Sequence, residues 1–289
     1  MKKDIQKYNF KEGLPQELEV VEMNQLFKSD GEKLTSTHRT EFYQKLWFQK
    51  GTPTHLVDFN PIKIEPHTIV FLNKNMVQRF DNKDDSDGKG ILFTDVFFCK
   101  TEIDTTFLRS TILFNDLFSI PTIHIPHMES IFATFFEQMQ AESNNPNDEY
   151  QADILRNYLR NLLLISERER QKQGFTKVKT GLDLDYTMLF KNLLEEKFQE
   201  EKLVNYYATQ INITQKRLNQ ATSKTLGKTP KQIIDEKIML EAKRLLAHTN
   251  ESVKEIGFTL GFEESTNFIK YFRKHADTTP IEFREFFNP

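Results

Sequence analysis

The pattern of apolar and polar positions changes character near residue 128. Before that point, the stretches 41–51, 54–72 and 76–98 combine β-branched and aromatic residues with partial alternation, and glycine, proline and aspartate break them into short runs. Several short strands separated by turn residues are typical of an antiparallel sandwich or barrel. Residues 1–127 are therefore predicted to form an antiparallel β domain.

Beyond this point the apolar residues recur at helical spacing. Segment 128–139 carries apolar residues three and four positions apart, and a second stripe runs through Leu155, Leu159, Leu162 and Leu163. A stripe this wide needs a partner, which is either the β domain or a second copy of the chain. We expect residues 128–173 to form a helical dimerisation region, and the glycine-containing segment 174–183 to be a linker.

Residues 184–289 are helical in pattern throughout, with seven apolar-periodic runs joined by short breaks. Capping boxes, in which a Ser or Thr cap is followed three positions later by Glu or Gln, mark helix starts. Ser252 with Glu255 is one. Two others share a cap, a first-turn proline and a third-position partner: Thr229, Pro230 and Gln232, then Thr279, Pro280 and Glu282.

These starts reveal a duplicated helix pair. Aligned by the caps, the two copies match at an offset of 50 residues, which becomes 49 upstream of the second helix. The matched pairs are Ala208 with Gly257, Leu218 with Phe268, Gly227 with Asp277, and Pro230 with Pro280. A small residue, a tight turn and an outward-facing second helix are the layout of a helix-turn-helix motif. Chance could produce one such pair, but a matched duplication favours DNA binding.

The second helix of a helix-turn-helix motif enters the major groove and presents its exposed N-terminal side chains to base edges. With Leu218, Ala221, Phe268, Tyr271 and Phe272 facing inward, the outward positions are Gln215, Lys216, Asn219 and Gln220 in the first copy and Ser265, Thr266, Asn267 and Lys270 in the second. Lys224, Arg273 and Lys274 suit phosphate contacts. The helix between the copies, roughly 27 Å long, could hold two readers near the ~34 Å repeat of the groove.

Composition and charge are compatible with DNA binding by the C-terminal part, but they do not require it. The net charge is −3, but residues 201–289 hold 14 basic and 11 acidic residues, so the C-terminal part is slightly basic and the rest acidic. No apolar run approaches the ~20 residues of a membrane span, and no secretory signal is visible. Cys99 is the single cysteine, which excludes an internal disulfide framework. We expect a cytoplasmic protein with no membrane association.

The C-terminal segment "EAKRLLAHTNESVKEIGFTLGFEESTNFIKYFRKHADTTPIEFR" closely resembles the signature of the AraC/XylS family of bacterial transcription regulators, and "YYATQINITQKRLNQATSKTLGKTP" is similar to that family's upstream motif. The resemblance covers about residues 184–287. It implies an all-α domain with recognition helices at 214–224 and 265–275, DNA contacts at the outward positions named above, and RNA polymerase as a partner of an activator. Gly257 and Asp277 depart from the usual alanine and glycine.

The N-terminal segments "HRTEFYQKLWFQKG" and "IEPHTIVFLNKNMVQRF" resemble, more weakly, the cupin-like sensor and dimerisation domain of such regulators. The resemblance implies an α+β chain with a cupin-like barrel, a homodimer formed through the helix at 150–170, and a small-molecule effector. The mouth of the barrel could be lined by His38, Arg39, Phe42, Tyr43 and Trp47, although for any single one of these residues the favoured explanation is an aromatic ring in the core or a polar side chain in solvent.

Cupin enzymes hold a metal through a His-x-His pair, a glutamate and a distant histidine. Here Thr40 stands two positions after His38, so the pair is broken, and the remaining histidines lack a shared ligand spacing. We therefore expect no metal, no cofactor and no enzymatic activity. The alternatives are a cupin-type metal-dependent enzyme with a helical appendage and a protein-interaction scaffold.

Overall fold

The computed structural model describes residues 4–81, 86–115, 120–175 and 181–287. The chain divides into two compact units, one formed by Gln6–Lys177 and the other by Val178–Pro289 with Met1–Ile5. Residues 176–180 of the expected linker lie outside the described residues. Within the described ranges, no helix combines the length and apolar character needed to cross a membrane.

The strands of the first unit form two five-stranded sheets. In the described residues the strands are β1 (Gln6–Tyr8), β2 (Leu18–Glu22), β3 (His38–Thr40), β4 (Tyr43–Lys50), β5 (Thr54–Val57), β6 (Asn60–Lys63), β7 (Thr68–Leu72), β8 (Gln78–Phe80), β9 (Asp87–Phe93) and β10 (Thr122–His124). One sheet has the order β1-β3-β8-β5-β6, and the other has the order β10-β7-β4-β9-β2.

The described strand pairs are antiparallel except that β1 pairs with β3 in parallel. The expected β region with antiparallel pairing is thus confirmed for the other pairs. Closure of these sheets into a cupin-like barrel stays a prediction.

The second sheet is buried on both faces, which explains why β7 reads as an unbroken apolar run. Along β4, Tyr43 and Trp47 belong to one apolar cluster, whereas Leu46 and Phe48 belong to another. The first cluster lies under helices, and the second lies with residues of the other sheet and Met23. Because successive side chains of a strand point to opposite faces, β4 contributes to both cores at once.

The helices of the first unit cover the second sheet. They are α1 (Met23–Thr35), α2 (Asp95–Phe98), α3 (Glu102–Ser110), α4 (Glu129–Asn144) and α5 (Gln151–Lys172). The last two were predicted, whereas α1, α2 and α3 were not. The α5 stripe of Leu155, Leu159, Leu162 and Leu163 is buried in the same cluster as Trp47 and Phe71. The partner of this stripe is therefore the β domain of the same chain.

The second unit is helical throughout its described residues, as expected. Its seven helices are α6 (Leu182–Lys197), α7 (Val204–Gln210), α8 (Gln215–Leu226), α9 (Pro230–His248), α10 (Val253–Thr259), α11 (Ser265–Ala276) and α12 (Pro280–Phe287). Helix α6 begins at Leu182, within the predicted linker, which was expected to end at residue 183.

A lysine lies fully buried in the core of the first unit. Lys45 is 0% exposed, and its Nζ has no hydrogen-bond partner among the described residues. It lies 4.6 Å from the ring centroid of Phe132 and 5.0 Å from that of Phe136. Burial lowers the pKa of the Lys45 amine well below its ordinary value, and the loss of hydration at this amine destabilises the unit.

We predict that Lys45→Met stabilises this unit. The unfolded chain binds the lysine proton more tightly than the folded chain does, so the cost of burying Lys45 is present at pH 7 and falls as the pH rises toward the ordinary lysine pKa of about 10.4. The substitution should raise the free energy of unfolding by about 1–3 kcal/mol at pH 7. The gain should shrink near pH 10. Urea unfolding followed by the fluorescence of Trp47, the single tryptophan, measures both values.

The matched control is Lys50→Met, which replaces an exposed lysine at the end of the same strand. It should change the free energy of unfolding by less than about 0.5 kcal/mol. Destabilisation by Lys45→Met, or a gain that does not vary with pH, would contradict this account of Lys45.

Candidate nucleic-acid interface

The turn between α7 and α8 is closed by backbone hydrogen bonds. Ile213 N donates to Ala208 O at 3.0 Å, and Asn212 N donates to Thr209 O at 3.0 Å. Asn212 adopts a left-handed conformation with φ 57, which asparagine tolerates better than most residues. These bonds satisfy carbonyl groups at the end of α7 and redirect the chain into α8.

The turn between α10 and α11 repeats this geometry 49 residues later. Phe262 N donates to Gly257 O at 2.9 Å, Gly261 N donates to Phe258 O at 2.8 Å, and Gly261 has φ 74. A Cβ at Gly261 would lie 1.8 Å from Gln199 O, so only glycine fits there. The predicted duplication of the helix-turn-helix layout is confirmed.

The ends of the helices follow the capping chemistry predicted from sequence. Thr229, Ser252 and Thr279 each accept a hydrogen bond from the backbone N–H three residues on, and the side chains of Gln232, Glu255 and Glu282 accept from the cap backbone in return. Gly227 and Asp277 end α8 and α11 in matching left-handed conformations, with φ 66 and φ 54. Asp277 thus takes the place that Gly227 holds in the first copy.

The two recognition helices begin differently. Thr214 caps α8 by accepting from Arg217 N at 3.1 Å. The residue before α11 is Glu264, whose side chain makes no cap hydrogen bond. The observed helices, Gln215–Leu226 and Ser265–Ala276, agree with the predicted ranges to within two residues.

In each motif a supporting helix, α7 or α10, packs against the recognition helix that follows it. The residues at this contact differ in size between the two copies. Ala208 and Leu218 are buried in the first copy, and Gly257 and Phe268 are buried in the second. A Cβ at Gly257 would lie 3.1 Å from Phe268 Cβ, closer than ordinary van der Waals contact. Glycine at 257 therefore makes room for phenylalanine at 268, where the other copy combines alanine with the smaller leucine.

The predicted base-reading residues lie on the exposed sides of α8 and α11. All of them are exposed except Ser265, which is half-buried, while Leu218, Ala221, Phe268 and Phe272 are buried. The exposed set is Gln215, Lys216, Asn219, Gln220, Thr266, Asn267 and Lys270. Their contact with DNA stays a prediction.

The three predicted phosphate-binding residues are exposed, but one is already in an ion pair. Lys224 Nζ lies 2.7 Å from Asp183 Oδ2, and Arg217 Nη1 lies 2.5 Å from Asp183 Oδ1. The hydrogen bonds from Lys224 and Arg217 lower the pKa of the Asp183 carboxyl. Asp183 thus ties α8 to the first turn of α6. Arg273 and Lys274 are exposed on the last turn of α11.

Sequence reasoning missed the residues that hold the recognition helices from outside. Asp183 and Asp235 lie far along the chain from the helices that they contact, and no local pattern marks them. The sequence did contain one indication of the Asp235 contact. Tyr271 was predicted to face inward, and a buried tyrosine hydroxyl usually finds a hydrogen-bond partner.

The residues predicted to line an effector site do not gather at one place. Tyr43 and Trp47 lie in the apolar cluster under the helices. His38 pairs across its strand with Gln78 in the other sheet and is buried. Phe42 is buried with its ring 5.6 Å from that of Phe10, and Arg39 is half-buried on the opposite face of β3 from His38.

A different set of buried polar side chains lies in this unit. His55 Nε2 is 2.9 Å from Gln78 Oε1, and Gln44 Nε2 donates to Thr40 Oγ1 at 2.8 Å. Burial lowers the pKa of His55 to about 3, so the ring is neutral at physiological pH. Burial also lowers the pKa of His38. Within the described ranges, no group of three His, Cys, Asp or Glu side chains is placed to hold a metal ion.

Comparison with known proteins agrees with the geometry of the second unit. Residues 207–285 match a family model described as a helix-turn-helix domain. The chain is similar to the HTH-type transcriptional activator RhaS of Klebsiella pneumoniae, at 30% identity over 92 residues, which are 32% of this chain and 33% of that protein. It is 21% identical to the HTH-type transcriptional activator RhaS of Citrobacter koseri over 262 residues, which are 86% of this chain and 87% of that protein.

Among solved structures, a transcriptional regulator of Chromobacterium violaceum with an AraC-type DNA-binding domain is 25% identical. The match has a TM-score of 0.32 and covers 35% of this chain and 90% of that one.

The duplicated turns and the matched residues define a helix-turn-helix domain in residues 207–285. More narrowly, the chain is similar to HTH-type transcriptional activators. That the protein regulates transcription and is not an enzyme stays a prediction.

We predict that Gly257→Ala destabilises the second unit. The added methyl group would press against Phe268, and the cost of overpacking should exceed the gain in helix propensity, leaving a net loss of about 1 kcal/mol. Phe268→Leu makes room for the methyl group, so the double variant should be more stable than the sum of the two single effects. Urea unfolding followed by circular dichroism of the helices measures each variant.

Unchanged Trp47 fluorescence transitions provide the control, since Trp47 lies in the other unit. Strict additivity of the two substitutions would show that Gly257 and Phe268 do not constrain each other.

Proposed function

We propose that this protein is a sequence-specific activator of transcription that binds double-stranded DNA through both helix-turn-helix motifs. The observation that carries the proposal is the duplication. Two turns with the same hydrogen bonds and left-handed residues each lead into a helix with a buried apolar side and an exposed polar side. Activation of transcription is taken from the names of the RhaS relatives.

The two recognition helices read successive major-groove segments of one duplex. The joining helix α9 has 19 residues, which makes it roughly 27 Å long. That length is comparable with the ~34 Å between successive major-groove faces. The two helices expose different side chains, so each reads a different sub-site.

Base recognition falls to the polar side chains on the exposed faces of α8 and α11. Amide side chains such as Asn267 can pair with adenine, and lysine side chains such as Lys216 and Lys270 can pair with guanine. Ser265 and Thr266 can donate to or accept from either kind of base. Gln215 Nε2 donates to Asn205 Oδ1 at 2.9 Å, so that side chain is held in place in the absence of DNA.

Phosphate contacts fall to Arg273, Lys274 and Lys224. Arg273 and Lys274 are exposed at the end of α11. Lys224 must exchange its bond to Asp183 for a phosphate oxygen, so it contributes less to DNA affinity than an unpaired lysine would. Binding should weaken as the salt concentration rises, because each phosphate contact releases condensed counterions.

The first unit acts as a dimerisation and sensing domain in this proposal, with a cupin-like barrel, a small-molecule effector and a cytoplasmic location. The dimer then presents four recognition helices to repeated half-sites and contacts RNA polymerase. The buried stripe of α5 is already used within the chain, so dimerisation relies on other surfaces, and Leu164 of α5 is 45% exposed. The buried polar residues Gln44, His55 and Gln78 supply hydrogen-bonding groups near a candidate effector.

We predict that the combined change Asn267→Ala and Lys270→Ala weakens binding to the selected operator. Each lost base contact should cost about 1–3 kcal/mol, whereas binding to unrelated DNA should fall only slightly. Fluorescence anisotropy with a labelled operator, obtained by selection with the wild-type protein, measures both affinities. Lys197→Ala on α6 removes a lysine outside the recognition helices and should leave operator selectivity unchanged.

Unchanged operator affinity and selectivity in the double variant would instead favour a scaffold in which these helices bind another protein.

We also predict that the full-length protein sediments at twice the mass of one chain at micromolar concentration. Leu164→Glu places a charge on the exposed side of α5 and should shift the equilibrium toward the monomer if α5 forms the interface. Sedimentation equilibrium measures both species. Ile103→Glu is the control, since it adds the same charge at an exposed position on α3. A wild-type protein that sediments as a monomer with and without operator DNA would contradict the dimer.

A further inference from the structure

A single carboxylate ties the second recognition helix to the helix that joins the two motifs. Tyr271 Oη, on α11, donates to Asp235 Oδ1, on α9, at 2.7 Å. Asp235 is 9% exposed, and Tyr271 is half-buried. One turn further along α11, His275 Nε2 lies 3.9 Å from Asp235 Oδ2. Two side chains on the same face of α11 thus contact one carboxylate.

The contact is supported from both helices. Lys231 Nζ, one turn before Asp235 on α9, lies 2.6 Å from Asp235 Oδ1 and offsets the carboxylate charge. The ring of Tyr271 lies 5.2 Å from that of Phe262 in the turn and 4.6 Å from that of His275. Tyr271 therefore connects the turn, the recognition helix and the joining helix at one place.

The first recognition helix is held in another way. The position that corresponds to Tyr271 is Ala221, which is buried and has no hydroxyl group. The described ion pairs tie α8 to α6 through Asp183, with Arg217 and Lys224 as the cations. Because α9 joins the two motifs, the Asp235 contact ties α11 directly to the joining helix, whereas the Asp183 contact ties α8 to α6.

We propose that Asp235 is a positioning residue for DNA recognition, which acts through Tyr271 to fix the second recognition helix and so sets the spacing between the two DNA sub-sites. This inference rests on the proposed function, since it assumes that both helices bind one duplex. Hydrogen bonds to base edges need side chains placed to within about 0.5 Å. Without the hydrogen bond between Tyr271 and Asp235, only apolar contacts orient α11. The helix can then change its orientation, and the protein can bind sub-sites at more than one spacing.

The test compares the full-length wild-type protein with Tyr271→Phe, Asp235→Ala and Asp235→Asn. Tyr271→Phe removes a single hydroxyl group. Asp235→Asn keeps an oxygen that can accept from Tyr271 and should behave as the conservative rescue. The DNA probes are the operator selected by the wild-type protein and two versions in which the sub-sites are moved together or apart by one base pair. The measured quantity is the ratio of operator affinity to shifted-site affinity, obtained by fluorescence anisotropy.

The wild-type protein should bind the operator about tenfold more tightly than the shifted sites. Tyr271→Phe should reduce this ratio severalfold, and Asp235→Ala should reduce it at least as much, because it also removes the contacts with Lys231 and His275. Asp235→Asn should keep the wild-type ratio. The circular dichroism spectrum checks that each variant is folded, and Tyr271→Phe decides the question alone if Asp235→Ala does not fold.

A uniform loss of affinity for all three probes in Tyr271→Phe, with the ratio unchanged, would show that the contact only stabilises the domain and would overturn the inference. A wild-type protein that selects no DNA sequence at all would overturn the proposed function itself. The two failures are therefore distinguished by the wild-type selection.

Discussion

The close contact between each supporting helix and its recognition helix is the constraint on which the DNA-binding unit depends. Gly257 lies against Phe268 so tightly that a single methyl group would crowd the ring, and Ala208 and Leu218 occupy the same places in the other copy. Once one residue of a recognition helix is fixed inward, the helical period decides which of its neighbours face outward. The exposed polar sets on α8 and α11 follow from that anchor.

The stability of the short helices around this contact depends on how their ends are capped. Each recognition helix has 12 residues, a length at which an isolated helix is marginal in water. Capping boxes and left-handed residues satisfy backbone groups that would otherwise lack partners. The two copies also differ in what holds them from outside. An exposed lysine and a half-buried arginine bind Asp183 in the first, and a half-buried phenol binds Asp235 in the second, so salt should loosen the first contact more than the second.

The first unit is built around its second sheet, which is covered on both faces. Helices α4 and α5 bury the side of β4 that carries Tyr43, Lys45 and Trp47. This arrangement assigns two of the residues expected around an effector to the packed layer between sheet and helices. Buried polar side chains of this unit are hydrogen-bonded to one another, His55 with Gln78 and Gln44 with Thr40. Lys45 remains an amine without a described hydrogen-bond partner, and its burial lowers the stability of the unit.

The sequence by itself determined the helical unit almost completely, since caps, helical period and turn residues are local signals. It located the two recognition helices to within two residues, the inward anchors Leu218 and Phe268, and the exposed faces. In the first unit it located the main strands and α4 and α5. It missed α1, which has a non-helical residue at Asp30, and the short α2 and α3. Only the tertiary structure decided that α5 packs on its own β domain, that Tyr43 and His38 lie in different sheets, and that Asp183 and Asp235 hold the recognition helices. These facts depend on contacts between residues far apart in the chain, which no local pattern encodes.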